Sequence, residues 1–482
     1  MINFRIIARV FSILLIFEGV MMLVSALISV IYQEHAASSL FYSALITTLT
    51  GILTFTPVKD DDRKYGNREG YIIVGGIWVI FALFGTLPFL FSGTIKGFTD
   101  AFFESMSGFT TTGATILADI DSLPKGILFW RSLTQWLGGI GVIFLSLYVL
   151  PVFKDINIQL STTEFSGQTS DKIHPRAADA VKRLIALFII LTLSEITLLN
   201  IAGMPFFDSV CQSFSTLSTG GFSTHDNSLS VYSSPAIKIL ITIFMFIAGT
   251  NMTLVYFGAK RNFKKVFASN EFIFYLLVCL FFSLIVSAIL YSKEIFDPVN
   301  SIINGTFQVV SIITSTGYYT SDYNQWGHFI LLIMFILMFT GGTAGSASGG
   351  IKMTRLMIMT KNNRMELRRL LHPNAYIPVR LNQRIVPQNI VYNVLVFVAL
   401  YFLIVCVSAI LISFMGYDLM TSFGTSASML GNIGPGIGTF GPFSTYSGLP
   451  AAGKLFLSGL MLLGRLELMT ILILFARSFY RR

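Results

Sequence analysis

FTDAFFESMSGFTTTGAT, residues 98–115, decides how this chain is read. It is too short and too polar to cross a bilayer, whose core needs roughly 20 apolar residues per helix. It nevertheless lies between two stretches that are long and apolar enough, 71–93 and 126–150. It opens on an acid, Asp100, continues as a half-length amphipathic helix, and ends in a Thr-rich turn around Gly113. Three further stretches share that pattern: FFDSVCQSFSTLSTGGFST (206–224), FDPVNSIINGTFQVVSIITSTGYYT (296–320) and YDLMTSFGTSASMLGNIGPGIG (417–438). Their acids are Asp208, Asp297 and Asp418. The glycines aligned with Gly113 are Gly220, Gly317 and Gly434, separated by 107, 97 and 117 residues. Self-similarity at such a period marks an internal repeat, each unit reading helix, re-entrant half-helix, loop, helix.

The composition around these stretches agrees. Of 482 residues 54% are hydrophobic and 12% charged, with 45 Phe, and the mean hydropathy is +0.72. A soluble domain carries about a quarter charged residues, so cytosolic enzymes and nucleic-acid binders are excluded despite the formal charge of +9. Cys211, Cys279 and Cys406 stand too far apart for a disulfide framework or a metal-binding CxxC. The chain reads as an all-α polytopic membrane protein. Helices are expected at 5–32, 38–56, 71–93, 126–150, 179–202, 235–258, 271–292, 326–358 (interrupted), 389–414 and 451–477. The first is too long for a signal peptide. The polar segments 57–70, 151–178, 259–270 and 352–388, with both termini, hold most of the 33 Lys and Arg. The positive-inside rule puts them in the cytoplasm and the four half-helices outside.

Non-helical backbone survives at membrane depth only where protein buries it or water reaches it. An Asp at the outer start of a half-helix caps its amides, and the negative end of the helix dipole then points toward mid-membrane. Four such units around one axis form an electrostatic sink for a cation, and the turn beyond can turn backbone carbonyls to the ion in place of water. The candidate filter is therefore Thr111, Thr112 and Gly113, then Ser218, Thr219 and Gly220, then Ser315, Thr316 and Gly317, then Asn432, Ile433 and Gly434.

TTTGAT, STGGFST, STGYYT and GNIGPG resemble the four degenerate filter sequences of the Trk/Ktr/HKT superfamily of potassium transporters. The resemblance continues in QWLGGIGVIFLSLYVLP (135–151), GGTAGSASGGIK (341–352) and GRLE (464–467), and the leading helix pair is similar to the bacterial TrkH branch. It implies four M1–pore helix–M2 units around one ion pore, divided here as 57–176, 177–268, 269–385 and 386–482 after an N-terminal helix pair, 1–56. It implies K⁺ bound by filter carbonyls, a homodimer in the bacterial inner membrane, and a cytosolic RCK-type, TrkA-like ring through which alone nucleotide acts. Family members with Ser at the first filter glycine favour Na⁺, so Gly113 points to K⁺.

Two further features concern gating. GGTAGSASGG (341–350) interrupts the third unit's second helix with Gly341, Gly342, Gly345, Gly349 and Gly350, each costing up to about 1 kcal/mol in a helix interior. Gly341, Gly345 and Gly349 would form a small-residue packing face if the segment were helical; the resemblance implies an intramembrane gating loop instead. Arg465 and Glu467 fall near the middle of the last expected helix, two apart and so facing different partners. Arg465 is expected to point below the filter toward the loop, and Lys352 to contact the gate or begin the inner basic surface. Lys361–Arg369 suits lipid headgroups or a regulatory ring. Glu104 and Arg131 are expected to pair and brace the first half-helix, Asn251 to bond between helices, and His225 to lie at the surface. GxGxxG at 436–441 lacks the strand–helix context that the dinucleotide motif needs, and GxxxxGK at 448–454 is followed by Leu455 in place of Ser/Thr, on the expected extracellular side. The reading is K⁺ uptake through a channel-like pore, with K⁺ symport coupled to H⁺ or Na⁺ as the alternative, and no enzyme constellation.

Overall fold

The computed structural model describes residues 3–55, 67–144, 173–372, 374–375, 377–382, 384–476 and 479. Most of the expected inner segment 151–178 and most of 57–70 lie outside these residues, as does the end of the expected 126–150 helix. Among the described residues the only sheet is a two-stranded hairpin, Arg380–Leu381 against Arg384–Ile385. Six helices are long and apolar enough to cross a bilayer: Phe4–Ile31, Ala36–Phe55, Arg68–Phe91, Val181–Ile201, Asn270–Ser292 and Gln388–Phe414. Each turns large apolar side chains outward, such as Leu27, Leu53, Ile190, Leu284 and Ile410, as lipid requires. This is an all-α polytopic membrane fold.

The second helices of the four units depart from the expected spans. Residues 235–258 are two helices, Pro235–Ala248 and Met252–Ala259, meeting at 115°, and 451–477 are also two, Ala451–Arg465 and Leu468–Phe475, meeting at 117°. Asn251 is therefore not mid-helix: it caps the restarted helix, its Oδ1 accepting from Thr253 N at 2.8 Å. At the other break Glu467 takes φ of 57°, so Arg465 ends a helix and does not sit within one. His328–Leu337 stops after 10 residues and gives way to a loop, so 341–350 offers no helical packing face. Lys125–Phe144 is unbroken, but it carries buried Arg131, Ser132, Thr134 and Gln135. Those side chains face protein.

The four half-length helices are Phe98–Phe109, Phe206–Leu217, Pro298–Ile313 and Leu419–Gly431. Asp297 and Asp418 cap theirs as expected, accepting from Asn300 N at 3.3 Å and Thr421 N at 3.2 Å. Asp100 and Asp208 do not cap: they stand in the first turn after Gly97 and Pro205. Asp100 pairs with Lys454 at 2.7 Å and Asp208 accepts from the Tyr232 hydroxyl at 3.0 Å. Negative charge there still opposes the helix dipole.

One apolar core runs from the N-terminal pair (Met22, Leu40) through Phe103, Phe109 and Trp130 to Leu457 and Met461. The last unit thus closes onto the first. The N-terminal pair joins the same body through Glu34, whose carboxylate accepts from Lys125 N at 2.7 Å and Gly126 N at 3.0 Å. It supplies the cap that Pro124, just before this helix, cannot.

Candidate ion pathway

Each half-length helix ends in the same turn. A residue with left-handed φ follows the helix, then one ordinary residue, then a glycine with positive φ. The pairs are Thr111 (51°) and Gly113 (80°), Thr219 (56°) and Gly221 (75°), Ser315 (53°) and Gly317 (80°), Asn432 (54°) and Gly434 (98°). Left-handed φ is uncommon outside glycine, so four non-glycine instances at matching places are over-determined by their surroundings. In every copy the middle residue's N–H donates back to a serine carbonyl: Thr112 to Ser107 at 2.9 Å, Gly220 to Ser215 at 2.8 Å, Thr316 to Ser311 at 2.9 Å and Ile433 to Ser428 at 2.9 Å. This is the closure of a left-handed helix C-cap. The register corrects one sequence expectation. Gly221, not Gly220, is the second copy's equivalent of Gly113, and Gly220 takes the place of Thr112.

The four turns converge. A Cβ added to Gly113 would come closer than 3.0 Å to the Gly220 carbonyl oxygen. One on Gly221 would meet the carbonyl of Thr316, one on Gly317 that of Ile433, and one on Gly434 that of Thr112, all inside the same limit. The chain of contacts closes in a ring, 1 to 2 to 3 to 4 to 1. Glycine is needed here for two separate reasons, the sign of φ and the neighbour's oxygen. Two of the carbonyls beside the ring are held from behind: Gln135 Nε2 donates to Gly220 O at 2.7 Å, and the Tyr446 hydroxyl to Gly434 O at 2.9 Å. A carbonyl oxygen has two lone pairs, so such a bond fixes its orientation and leaves one pair free.

The expected Glu104–Arg131 pair is present, buried, at 2.6 Å. Glu104 also accepts from Thr115 Oγ1 at 3.0 Å and Ile116 N at 3.0 Å, just beyond the first turn. His225 is not simply a surface residue. It is part-buried, and its ring nitrogens stand 2.5 Å from Asp121 and 3.5 Å from Asp208. The Asp208 carboxylate, reinforced by Asp121 against the opposing effect of burial, pushes its pKa up to about 9.

Under the turns lies the segment Thr340–Lys352. Its base is closed by Gly341 N to Ile351 O at 2.9 Å and Met353 N to Gly342 O at 3.0 Å. Its interior is held by pieces of the second, third and fourth units, and the first unit reaches it through Arg465. Thr343 N donates to Gly249 O at 2.9 Å, at the break in the second unit, and Asn251 Nδ2 donates to Ala344 O at 2.6 Å. Glu271 Oε1 accepts from Ala344 N at 2.6 Å. Gly349 N donates to Ser315 Oγ, in the third turn, at 2.6 Å. A Cβ on Gly349 would strike the Gly431 carbonyl at the end of the fourth half-helix. Arg465 Nη1 donates to Ala347 O at 2.6 Å and its Nη2 to Gly138 O, in the first unit, at 3.4 Å. Lys352 Nζ donates to Ser346 O at 3.4 Å and also to Ser348 O. Glu467, facing away from Arg465 as expected, pairs with Arg355 at 2.5 Å. Three successive carbonyls of the loop, those of Ser346, Ala347 and Ser348, are thus taken up by two cations, Lys352 and Arg465.

The TrkH family, described as cation transport protein, matches residues 36–480. This chain belongs to the TrkH family. Its relatives include the Trk system potassium uptake protein TrkH of Salmonella typhimurium, 36% identical over 99% of this chain and 100% of the relative. The Escherichia coli K12 protein of the same name is 35% identical over the same shares, and TrkG of that strain is 31% identical over 99% of each chain. The crystal structure of the potassium transporter TrkH from Vibrio parahaemolyticus superposes with a TM-score of 0.90 at 32% identity, covering 100% of both chains. Sequence reasoning missed two things that family membership does not itself supply. One is Gln135, a polar residue in an apolar helix. The other is the serine six residues before each ring glycine, a signal that appears once Gly221 replaces Gly220 in the alignment.

Proposed function

We propose that this chain is the membrane-embedded subunit of a K⁺ uptake system, conducting K⁺ inward through the axis of its four turns. The observation that carries the reading is the closed ring of glycine-against-carbonyl contacts. Four short helices direct their negative ends at one point, and main-chain oxygens from four sides can replace a hydration shell. Relatives named for potassium uptake support the choice of ion. In this reading the filter comprises Thr111–Gly113, Thr219–Gly221, Ser315–Gly317 and Asn432–Gly434, within the four units 57–176, 177–268, 269–385 and 386–482.

Thr340–Lys352 is the gate in this proposal, latched by Arg465. A guanidinium below the filter also raises the barrier to a cation while the latch holds. Opening means withdrawing the loop from Arg465 and Ser315, which a cytosolic ring of RCK-type nucleotide-binding subunits can do by pulling on the helix Met353–Leu371 that follows it. The proposal includes a homodimer in the bacterial inner membrane, with both termini cytoplasmic. The membrane potential supplies about 2.3 kcal/mol per charge per 100 mV. Coupling to H⁺ or Na⁺ would call for a carboxylate relay. Glu18, Glu104, Glu195 and Glu467 belong to separate elements, and Glu104 and Glu467 are each committed to an arginine.

Purified protein in liposomes, with K⁺ and Na⁺ flux measured at imposed potentials, tests the proposal. Current that reverses at the K⁺ equilibrium potential is expected. Equal passage of K⁺ and Na⁺ refutes the filter, and reversal that follows a proton or Na⁺ gradient refutes the uncoupled pore.

A further inference from the structure

We propose that Arg131, with Gln135 one turn later, is a selectivity-positioning residue: the helix Lys125–Phe144 of the first unit sets the geometry of the second unit's filter turn. This inference rests on the K⁺ pathway proposed above. Arg131 is 2% exposed and reaches across the junction between two units. Its Nε pairs with Glu104 at 2.6 Å, its Nη1 donates to Ser223 O at 2.7 Å, and its Cζ lies 3.7 Å from the centre of the Phe222 ring. Gln135, on the same helix face at i+4, takes the two backbone groups just before: Gly220 O at 2.7 Å and Phe222 N at 3.1 Å. Between them the two side chains hold Gly220, Phe222 and Ser223, the residues on either side of Gly221.

Glu104 carries the tie into the first turn, because the carboxylate that holds Arg131 also holds Thr115 and Ile116. A buried ionic bridge thus ties the outer segments of turns 1 and 2 beside the ring, with the more exposed His225–Asp121 pair farther along the same segments. Tyrosine hydroxyls do this work elsewhere: Tyr318 donates to Phe222 O at 3.3 Å between turns 3 and 2, and Tyr323 to Gly436 O at 2.6 Å between turns 3 and 4. Among the described residues, only the 1–2 junction is made by an arginine–carboxylate pair buried on both sides. The pair is neutral as a whole, so it adds little field along the axis; its effect is on position. A guanidinium is required by the geometry, because one planar fork must serve a carboxylate and a carbonyl while stacking on an aromatic ring, which an ammonium cannot do.

The experiment measures the K⁺/Na⁺ permeability ratio from reversal potentials in liposomes, beside thermal stability, for the wild type, Arg131→Lys and Gln135→Met. A merely structural role would lower folded yield and the flux of both ions together, leaving the ratio in place. The expected result is a folded variant whose ratio falls about tenfold, the equivalent of one hydrogen bond to a charged group. Folded variants with ratios within about twofold of wild type, well under a 1.4 kcal/mol effect, overturn the inference. Where Arg131→Lys does not fold because an ammonium cannot replace the fork, the double change Glu104→Gln with Arg131→Gln removes both charges at once. A lowered ratio in that protein supports the inference and an unchanged one overturns it. A wild type that fails to discriminate K⁺ from Na⁺ counts against the proposed pathway itself, whereas a selective wild type with unaltered variants counts only against Arg131 and Gln135.

Discussion

Beside Gly113 the helix Lys125–Phe144 runs without a break, whereas in the third unit the corresponding helix stops at Leu337 and resumes only at Met353. At the level of the glycines the same two units differ by almost nothing: φ of Gly113 and Gly317 is 80° in both. The chain keeps four equal copies at the glycine ring, the filter of the proposed pathway, and unequal ones beside the Thr340–Lys352 segment. An ion stripped of water needs equivalent oxygens on all sides, and that tolerates no odd quarter. A barrier in a single conduit needs one moving part, and in the proposed pathway the third unit's loop is that part. The second and fourth units lend Gly249, Asn251 and Arg465 to hold it, and Gly138 of the first unit in turn holds Arg465.

That contrast can be broken most severely at the ring. Alanine at Gly113, Gly221, Gly317 or Gly434 is expected to cut K⁺/Na⁺ discrimination by at least about tenfold, 1.4 kcal/mol or more, with similar losses at all four when reversal potentials are compared. Gly221→Ala should harm selectivity more than Gly220→Ala, because a Cβ at 220 meets the Gln135 side chain and not a neighbour's backbone. The reverse order would restore the register read from sequence.

Below the ring the expectation changes sign. Arg465→Gln should raise unregulated K⁺ flux several-fold by releasing Ala347, since hydrogen bonds to charged groups are worth about 1.5–3 kcal/mol, while the permeability ratio stays put. A fall in flux with altered selectivity would show that loop and filter are not separable. Asn251→Ala removes a helix cap and a loop anchor together, and a stability loss of about 1 kcal/mol is expected by thermal unfolding.

The smallest effect is at the outer mouth. His225 has its pKa raised from 6.5 to about 9, so its bridge to Asp208 and Asp121 contributes fully below about 6.5 and is lost as pH rises through 9. The melting-temperature difference between wild type and His225→Ala should correspond to at most about 1 kcal/mol near pH 7 and vanish above pH 9. A difference that grows with alkalinity would contradict the charged bridge.

The half-helices and their glycines were legible because they combine short length, an acid at the start and a polar turn at the end, a pattern that few other segments of an apolar chain can imitate. The Glu104–Arg131 pair was legible from the expense of unpaired charge in a membrane. What failed was local. STGG offers two adjacent glycines, and periodicity cannot choose between them when loop lengths vary; only φ does. The breaks at Thr250 and Leu466 were missed because each is a short polar interruption (Gly249–Asn251, Gly464–Glu467) inside a long apolar run, and neither proline nor a glycine cluster marks them. Asp100 and Asp208 looked like caps by position but are drawn to Lys454 and His225, partners more than 300 residues away in one case and 17 in the other.

Glu34 ties the outer hairpin to this machinery in a way that bears on shortening the chain. Its two oxygens satisfy the leading amides of the helix that carries Arg131 and Gln135. A protein trimmed to begin after residue 56 would start that helix with bare donors, and the disturbance would arrive one and a half turns later at the arginine beside the second turn. The leading pair is thus no detachable accessory: it is the first support of the proposed ion path, to which it contributes no oxygen.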